Sequence, residues 1–141
     1  MSHIPQRYAI LSVTDKTDLL KIAEAFHRHN IHMISSSGTA KALREGGFDV
    51  EDVSDYTGFP EMFGGRVKTL HPRVEGGILY MREDPQHCKD AKQNHILPID
   101  FVIGNLYDFA GEIKKPNSTF ESAVENIDIG GPVMVRAAAK N

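Results

Sequence analysis

The segment from Gly64 to Pro72 reads GGRVKTLHP and gathers Arg66, Lys68 and His71 beside two glycines and the hydroxyl of Thr69. Such a density of donors suits an anion, because glycines admit close backbone approach, Arg66 offers a bidentate fork for phosphate and Lys68 a compact cation. Taken alone, a stretch this short is ordinarily a solvated basic loop. Three other segments shift the balance. Ser12, Thr14 and Lys16 follow a first apolar run, and Ser36, Ser37, Gly38 and Thr39 follow a second. Hydroxyls and free backbone N–H groups at a helix start form a phosphate cradle, although each loop by itself also fits ordinary helix capping. NLYDF then supplies an amide and a phenol at Asn105 and Tyr107, and IDIGGP sets Asp128 ahead of Ile129, Gly130 and Gly131. Tyr107 suits core packing with a wet hydroxyl as well as it suits catalysis. Asp128 fits a turn or cap carboxylate, with a ligand N–H as the functional alternative.

Hydrophobic periodicity supplies the elements that must position these residues. Tyr8 to Val13 has strand length, and Asp18 to Asn30 places Leu19, Ile22, Ala23 and Phe26 at helical spacing. Ile31 to Ser35 predicts a second strand, and Ala40 to Glu45 a helix stopped by Gly46 and Gly47. Phe48 to Val53 is a weaker third strand, Ser54 to Arg82 the least regular stretch, and Phe101 to Asn105 another apolar strand. Ser118 with Glu121 fits a capping box for a helix to about Asn126, and Gly130, Gly131 and Pro132 open a last helix ending near Lys140. Strands alternating with helices imply an α/β domain of three layers around a mainly parallel sheet. In such sheets ligands bind beyond the carboxyl ends of the strands, where all of these polar segments fall.

Composition narrows the function classes. The chain of 141 residues, 40% hydrophobic and 25% charged, reads as one globular domain, residues 1–141. It has no apolar run of spanning length, and MSHIPQRYAILSV enters a strand pattern without a signal-peptide core, so a cytoplasmic location is expected. One cysteine, Cys88, excludes an intrachain disulfide and a multi-cysteine zinc site. A net charge of −3 argues against bulk nucleic-acid binding, which needs a positive field. His27, His29 and His32 lack the i, i+4 spacing and carboxylate of a helical metal site, and surface histidines are expected.

Taken together, LSVTDKT (Leu11 to Thr17), SGTAKALREGG (Ser37 to Gly47), DVSDYTGFPEMFGGRVKTLHP (Asp52 to Pro72), GGIL (Gly76 to Leu79), NLY (Asn105 to Tyr107) and ENIDIGGPVMVRAAAKN (Glu125 to Asn141) resemble a known family. It is the inosine monophosphate cyclohydrolase domain of bifunctional purine biosynthesis proteins. The resemblance runs through almost the whole chain. It implies a methylglyoxal-synthase-like α/β fold that closes 5-formamidoimidazole-4-carboxamide ribotide to inosine monophosphate with loss of water. It implies no cofactor and no metal, a purine nucleotide as the small-molecule partner, no nucleic acid or membrane partner, and a homodimer. Lys68, Tyr107, Asp128 and Lys140 match the family's catalytic positions. The two Ser/Thr loops, with Arg66, Thr69, Asn105, Ile129 and Gly130, match its substrate contacts. One straight helix from Gly131 to Ala139 rises on the order of 14 Å, which sets Asp128 and Lys140 near opposite ends.

The chain departs from the family pattern at three places. Ser37 stands where the loop usually has the first of two glycines, and Asp108 replaces the proline after NLY. The chain also ends at Asn141, so a cyclohydrolase domain shortened at its C-terminus and without the transformylase domain is expected. Two alternatives share the phosphate loops: a methylglyoxal-synthase-like lyase and a noncatalytic nucleotide-binding module. NLYDF and IDIGGP favour the cyclohydrolase over the lyase. Retention of Lys68, Tyr107 and Asp128 argues against the module.

Overall fold

The computed structural model describes residues 6–141; Met1 to Pro5, on which the N-terminal leader reading begins, lie outside the described residues. The order opens with β1 (Arg7–Ser12), α1 (Leu19–Arg28), β2 (Ile31–Ser35) and α2 (Ser37–Glu45). A two-residue β3 (Glu51–Asp52), α3 (Val53–Thr57), α4 (Pro72–Leu79) and α5 (Pro85–Gln93) lead to β4 (Ile99–Gly104). Then come α6 (Phe109–Ile113), α7 (Phe120–Glu125) and α8 (Gly130–Lys140). All pairings are parallel, and the strands lie in the order β3-β2-β1-β4.

Side chains alternate across a strand, and here the alternation builds three layers. Ala9 lies opposite Met33, and both join a core with Leu19, Ala23 and Phe26 of α1 and Leu43 of α2. Ile10 lies opposite Ile34, and both join a second core with Val74 and Ile78 of α4 and Met134 of α8. Each fully buried aliphatic side chain such as Leu11 or Ile34 contributes roughly 2 kcal/mol to folding. The sheet is therefore held between α1 and α2 on one face and α3, α4 and α8 on the other, which leaves the strand ends and their loops to carry polar work.

Several boundaries differ from the sequence expectation, each for a local reason. The third strand shrinks to Glu51–Asp52 because it pairs only with Ile34 and Ser35 at the sheet edge, and Val53 already opens α3. Helix α2 starts at Ser37 rather than Ala40, since the Thr39 hydroxyl docks on the backbone of Val13 and draws the SGT turn into the helix. Strand β4 begins at Ile99, which pairs with Tyr8 ahead of a register irregularity between Tyr8 and Ala9. The capping box lies one residue later than Ser118: the Thr119 hydroxyl accepts from Ser122 N at 3.1 Å and Ser122 Oγ accepts from Thr119 N at 3.0 Å. The stretch from Ser54 to Arg82 holds α3, a single 3-10 turn at Phe63–Gly65 and α4. No helix among the described residues is long and apolar enough to cross a membrane.

Candidate active site

The polar segments meet in one cavity of about 570 Å³ at the carboxyl ends of β1, β2 and β4. Its floor starts with the loops after β1 and β2, which are fastened to each other and to β4. Thr39 Oγ1 accepts from Val13 N at 3.1 Å and donates to Val13 O at 3.0 Å. Asn105 Oδ1 accepts from Thr14 N at 2.6 Å and Asp15 N at 3.2 Å, while its Nδ2 donates to Asp15 O at 2.7 Å. Thr39 and Asn105 thus hold the loop's shape with their side chains, and the groups left facing the cavity come from Ser12, Thr14, Lys16, Ser36 and Gly38.

Helix geometry leaves the amides of the first turn of α2 without intrahelical acceptors, and the positive end of the helix dipole lies there. The N-cap Ser36 is extended and makes no side-chain cap, so its hydroxyl is not spent on the helix. Lys16 Nζ donates to Val13 O at 3.4 Å and Thr14 O at 3.3 Å and lies 3.8 Å from where a Cβ on Gly38 would sit. Amides, hydroxyls and an ammonium line one part of the cavity, the donor set that suits a phosphate dianion. Asp15 beside them is held below the usual carboxylate range by hydrogen bonds from the Thr17 hydroxyl and amide.

Arg66, Lys68 and Thr69 reach the same cavity from the turn that follows Phe63–Gly65. Gly64 and Gly65 have φ of 63° and 88°, the left-handed region in which glycine costs least. Arg66 pairs with Glu125 of α7, and the Lys68 ammonium lies 3.2 Å from Glu61 Oε1 and bonds Ser37 Oγ. Thr69 is buried against the start of α8, where a Cβ on Gly130 would come within 2.5 Å of Thr69 Oγ1.

Asp128 joins two parts of the site. Its Oδ2 accepts from Tyr107 N at 3.1 Å and its Oδ1 from Gly131 N at 3.0 Å, so one carboxylate fixes the NLY loop to the first turn of α8. The turn-carboxylate and ligand-facing roles weighed for Asp128 are compatible: it lines the cavity while capping, and a carboxylate with two bonds accepted still has free lone pairs. Tyr107 lines the cavity half-exposed, and Ile129 and Gly130 complete that wall.

Three residues stand elsewhere. Lys140 closes α8 at the end remote from Asp128 and is not in the cavity lining; beside it Asn141 Nδ2 donates to Ile78 O at 2.7 Å. His71 does not line this cavity but a smaller neighbouring one, and its Nδ1 accepts from Arg73 N at 3.1 Å as the cap of α4. Burial and the Arg73 charge lower its basicity, which suits that acceptor role. Asp108 spends its carboxylate on Gly111 N at the start of α6. His27, His29 and His32 do not converge either: His27 lies edge-on to Phe48, His29 ends α1, and His32 Nε2 lies 2.7 Å from Glu51 Oε2. Among the described residues no group of three His, Cys, Asp or Glu side chains is placed to hold a metal ion. The residues that sequence patterns missed are Glu61 and Glu125, whose partners are remote in sequence; charge complementarity to Lys68 and Arg66 was their only signal.

Residues 18–133 match the family described as MGS-like domain. The chain is 58% identical over 134 residues to the "Bifunctional purine biosynthesis protein PurH" of Synechococcus sp. (strain CC9605), covering 94% of the chain and 26% of the relative. The protein of the same name from Halalkalibacterium halodurans is 52% identical over 136 residues, covering 96% and 27%. The chain therefore spans about a quarter of the length of these curated relatives. Among solved structures, "Crystal structure of ForH" superimposes with a TM-score of 0.80 at 36% identity, covering 97% of this chain and 70% of that one.

Proposed function

The chain belongs to the MGS-like domain family, and we propose that it carries the inosine monophosphate cyclohydrolase activity of bifunctional purine biosynthesis proteins. The observation that carries the proposal is that one cavity is lined both by the cradle at Lys16, Ser36 and Gly38 and by Lys68, Tyr107 and Asp128. A volume of about 570 Å³ falls within the range of small-ligand sites and suits a nucleoside monophosphate.

In this reaction the carboxamide nitrogen of 5-formamidoimidazole-4-carboxamide ribotide attacks the formyl carbon of the same molecule. A C–N bond forms, the formyl oxygen leaves as water, and its two protons come one from the carboxamide nitrogen and one from the formamido nitrogen as the ring C=N bond forms. An amide is a poor nucleophile, so much of the work is geometric: anchoring the ribose 5'-phosphate in the cradle and the base against the Ile129 and Gly130 wall holds the reacting groups together. Negative charge grows on the formyl oxygen during attack, and the Lys68 ammonium is the group that stabilises it. Asp128 accepts the amide proton through a lone pair that its two backbone bonds leave free, and the Tyr107 hydroxyl orients the carboxamide. Lys140, which the family resemblance also counts as catalytic, does not line this cavity and is given no step in the scheme. The same reading places the protein in the cytoplasm, as a homodimer.

The test is to incubate the purified chain with the formamido ribotide and follow inosine monophosphate by ultraviolet absorbance. A Lys68→Ala chain is the control for spontaneous closure. Turnover that disappears in the variant supports the cyclohydrolase. Saturable binding of inosine monophosphate without turnover supports a binding module, and phosphate release from dihydroxyacetone phosphate supports the lyase.

A further inference from the structure

Lys68 does not stand free in the cavity wall. Its ammonium bonds Ser37 Oγ and lies 3.2 Å from Glu61 Oε1, and Ser37 Oγ donates to Glu61 Oε2 at 3.4 Å, which closes a three-membered ring. An ammonium has three N–H bonds. With one committed to Ser37 Oγ and the Glu61 carboxylate beside it as an ion-pair partner, the ammonium is held from two sides.

Ser37 and Lys68 line both the main cavity and a smaller neighbour of about 270 Å³, whereas Glu61 lines only the smaller one. Glu61 therefore grips the ammonium from behind and takes none of the space a ligand would fill. The backbone is shaped around this contact. A Cβ on Gly65 would sit 2.2 Å from Lys68 Cε and 3.0 Å from Glu61 Oε1, so the bare glycine makes room for the pair. The Gly65 amide donates to Met62 O at 2.9 Å and turns the chain so that Glu61 returns beside Lys68. Ser37 has φ 49°, a left-handed value that serine adopts at a cost and glycine would adopt freely. The one feature serine adds there is the hydroxyl that completes the ring.

We propose that Glu61 and Ser37 are positioning residues that fix the Lys68 ammonium in the wall of the main cavity, an inference that rests on Lys68 being the cation for the developing oxyanion. Glu61 supplies the countercharge; Ser37 supplies the hydrogen-bond acceptor and ties the carboxylate in place. Neither touches the reacting atoms. Loosening Lys68 weakens an interaction made in the transition state, so the loss falls on kcat and spares ground-state binding.

The test compares Glu61→Gln and Ser37→Gly with the parent chain. Glu61→Gln is expected to lower kcat about tenfold by removing the countercharge that holds the ammonium, with KM and the affinity for inosine monophosphate unchanged. Ser37→Gly is expected to raise the melting temperature by relieving the positive φ and yet to lower kcat about threefold, whereas a merely structural serine would move both together. Labelling with an amine-reactive ester, read by peptide mass spectrometry, gives a measure independent of turnover: Lys68 should label faster relative to Lys16 in both variants. Parent kcat and unchanged Lys68 labelling in both variants, alongside an inactive Lys68→Ala chain, would overturn the positioning role and leave the cyclohydrolase reading intact. Full turnover by Lys68→Ala would instead remove the oxyanion role on which the proposal stands.

Discussion

Tyr107 and Asp128 are joined through the main chain: the Tyr107 amide donates to Asp128 Oδ2 at 3.1 Å, leaving the phenol out of the bond. With Gly131 N on Oδ1 at 3.0 Å, the carboxylate is a brace, and the proposed reaction also makes it a proton acceptor. Asp128→Asn separates the two. The amide side chain keeps one acceptor, turns an NH2 toward the other N–H, and should cost about 1 to 2 kcal/mol of stability, read by thermal unfolding. Turnover should fall about a hundredfold or more, because an amide cannot take up a proton at neutral pH. A loss of rate no larger than the loss of stability would leave Asp128 a brace alone.

The pair of Arg66 with Glu125 places a carboxylate on the cation that an anionic ligand would use. Both side chains are exposed, so the pair itself is worth at most about 1 kcal/mol. Glu125→Gln should therefore leave stability unchanged while tightening inosine monophosphate binding about threefold at low salt, with the gain lost as ionic strength rises. Calorimetric titration at two salt concentrations checks both parts.

Thr69 and Gly130 are set by each other. A Cβ on Gly130 would meet Thr69 Oγ1 at 2.5 Å, and Thr69 is buried and cannot swing away freely. Gly130→Ala should cost about 1 to 3 kcal/mol through overpacking. In the double variant Thr69→Ala/Gly130→Ala the obstructing hydroxyl is gone, and denaturant unfolding should show the two changes costing less than the sum of the single ones.

The layer architecture was legible because alternation and helical spacing are local signals. Ile31 to Ser35 is the observed β2, and Gly130 with Pro132 marked the start of α8. The weaker third strand is shorter than read because the alternation of Phe48 to Val53 does not reveal that only two of its residues find a partner at a sheet edge. Helix α5 was missed although Asp84 and Pro85 form a cap and first-turn signal; its exposed sequence buries only Ala91, so periodicity is faint. The site's chemistry-bearing residues fell where parallel-sheet rules put them, at strand ends. Their pairings did not, since Arg66 with Glu125 spans 59 positions and Asn105 with Thr14 spans 91. The same contacts turn Thr39 and Asn105, both read as ligand contacts, into side chains that shape the loop a ligand would meet.

Glu75, in the first turn of α4, has both carboxylate oxygens shielded from solvent and without a hydrogen-bond partner among the described residues. That desolvation pushes its carboxyl up from 4.5 to about 7. Because the folded state holds this proton more tightly than the unfolded chain, the protonated form favours folding. Its benefit is fully present below pH 4.5 and is lost as pH rises through about 7. Glu75→Gln keeps the neutral shape at every pH. It should match the parent near pH 5 and exceed it at pH 8 by about 1 to 2 kcal/mol, a gain held down because the side chain is only partly buried. Urea unfolding at the two pH values measures the difference. An equal stability difference at both would mean that Glu75 finds a partner or water when it ionises, and that its burial does not make the fold pH-sensitive.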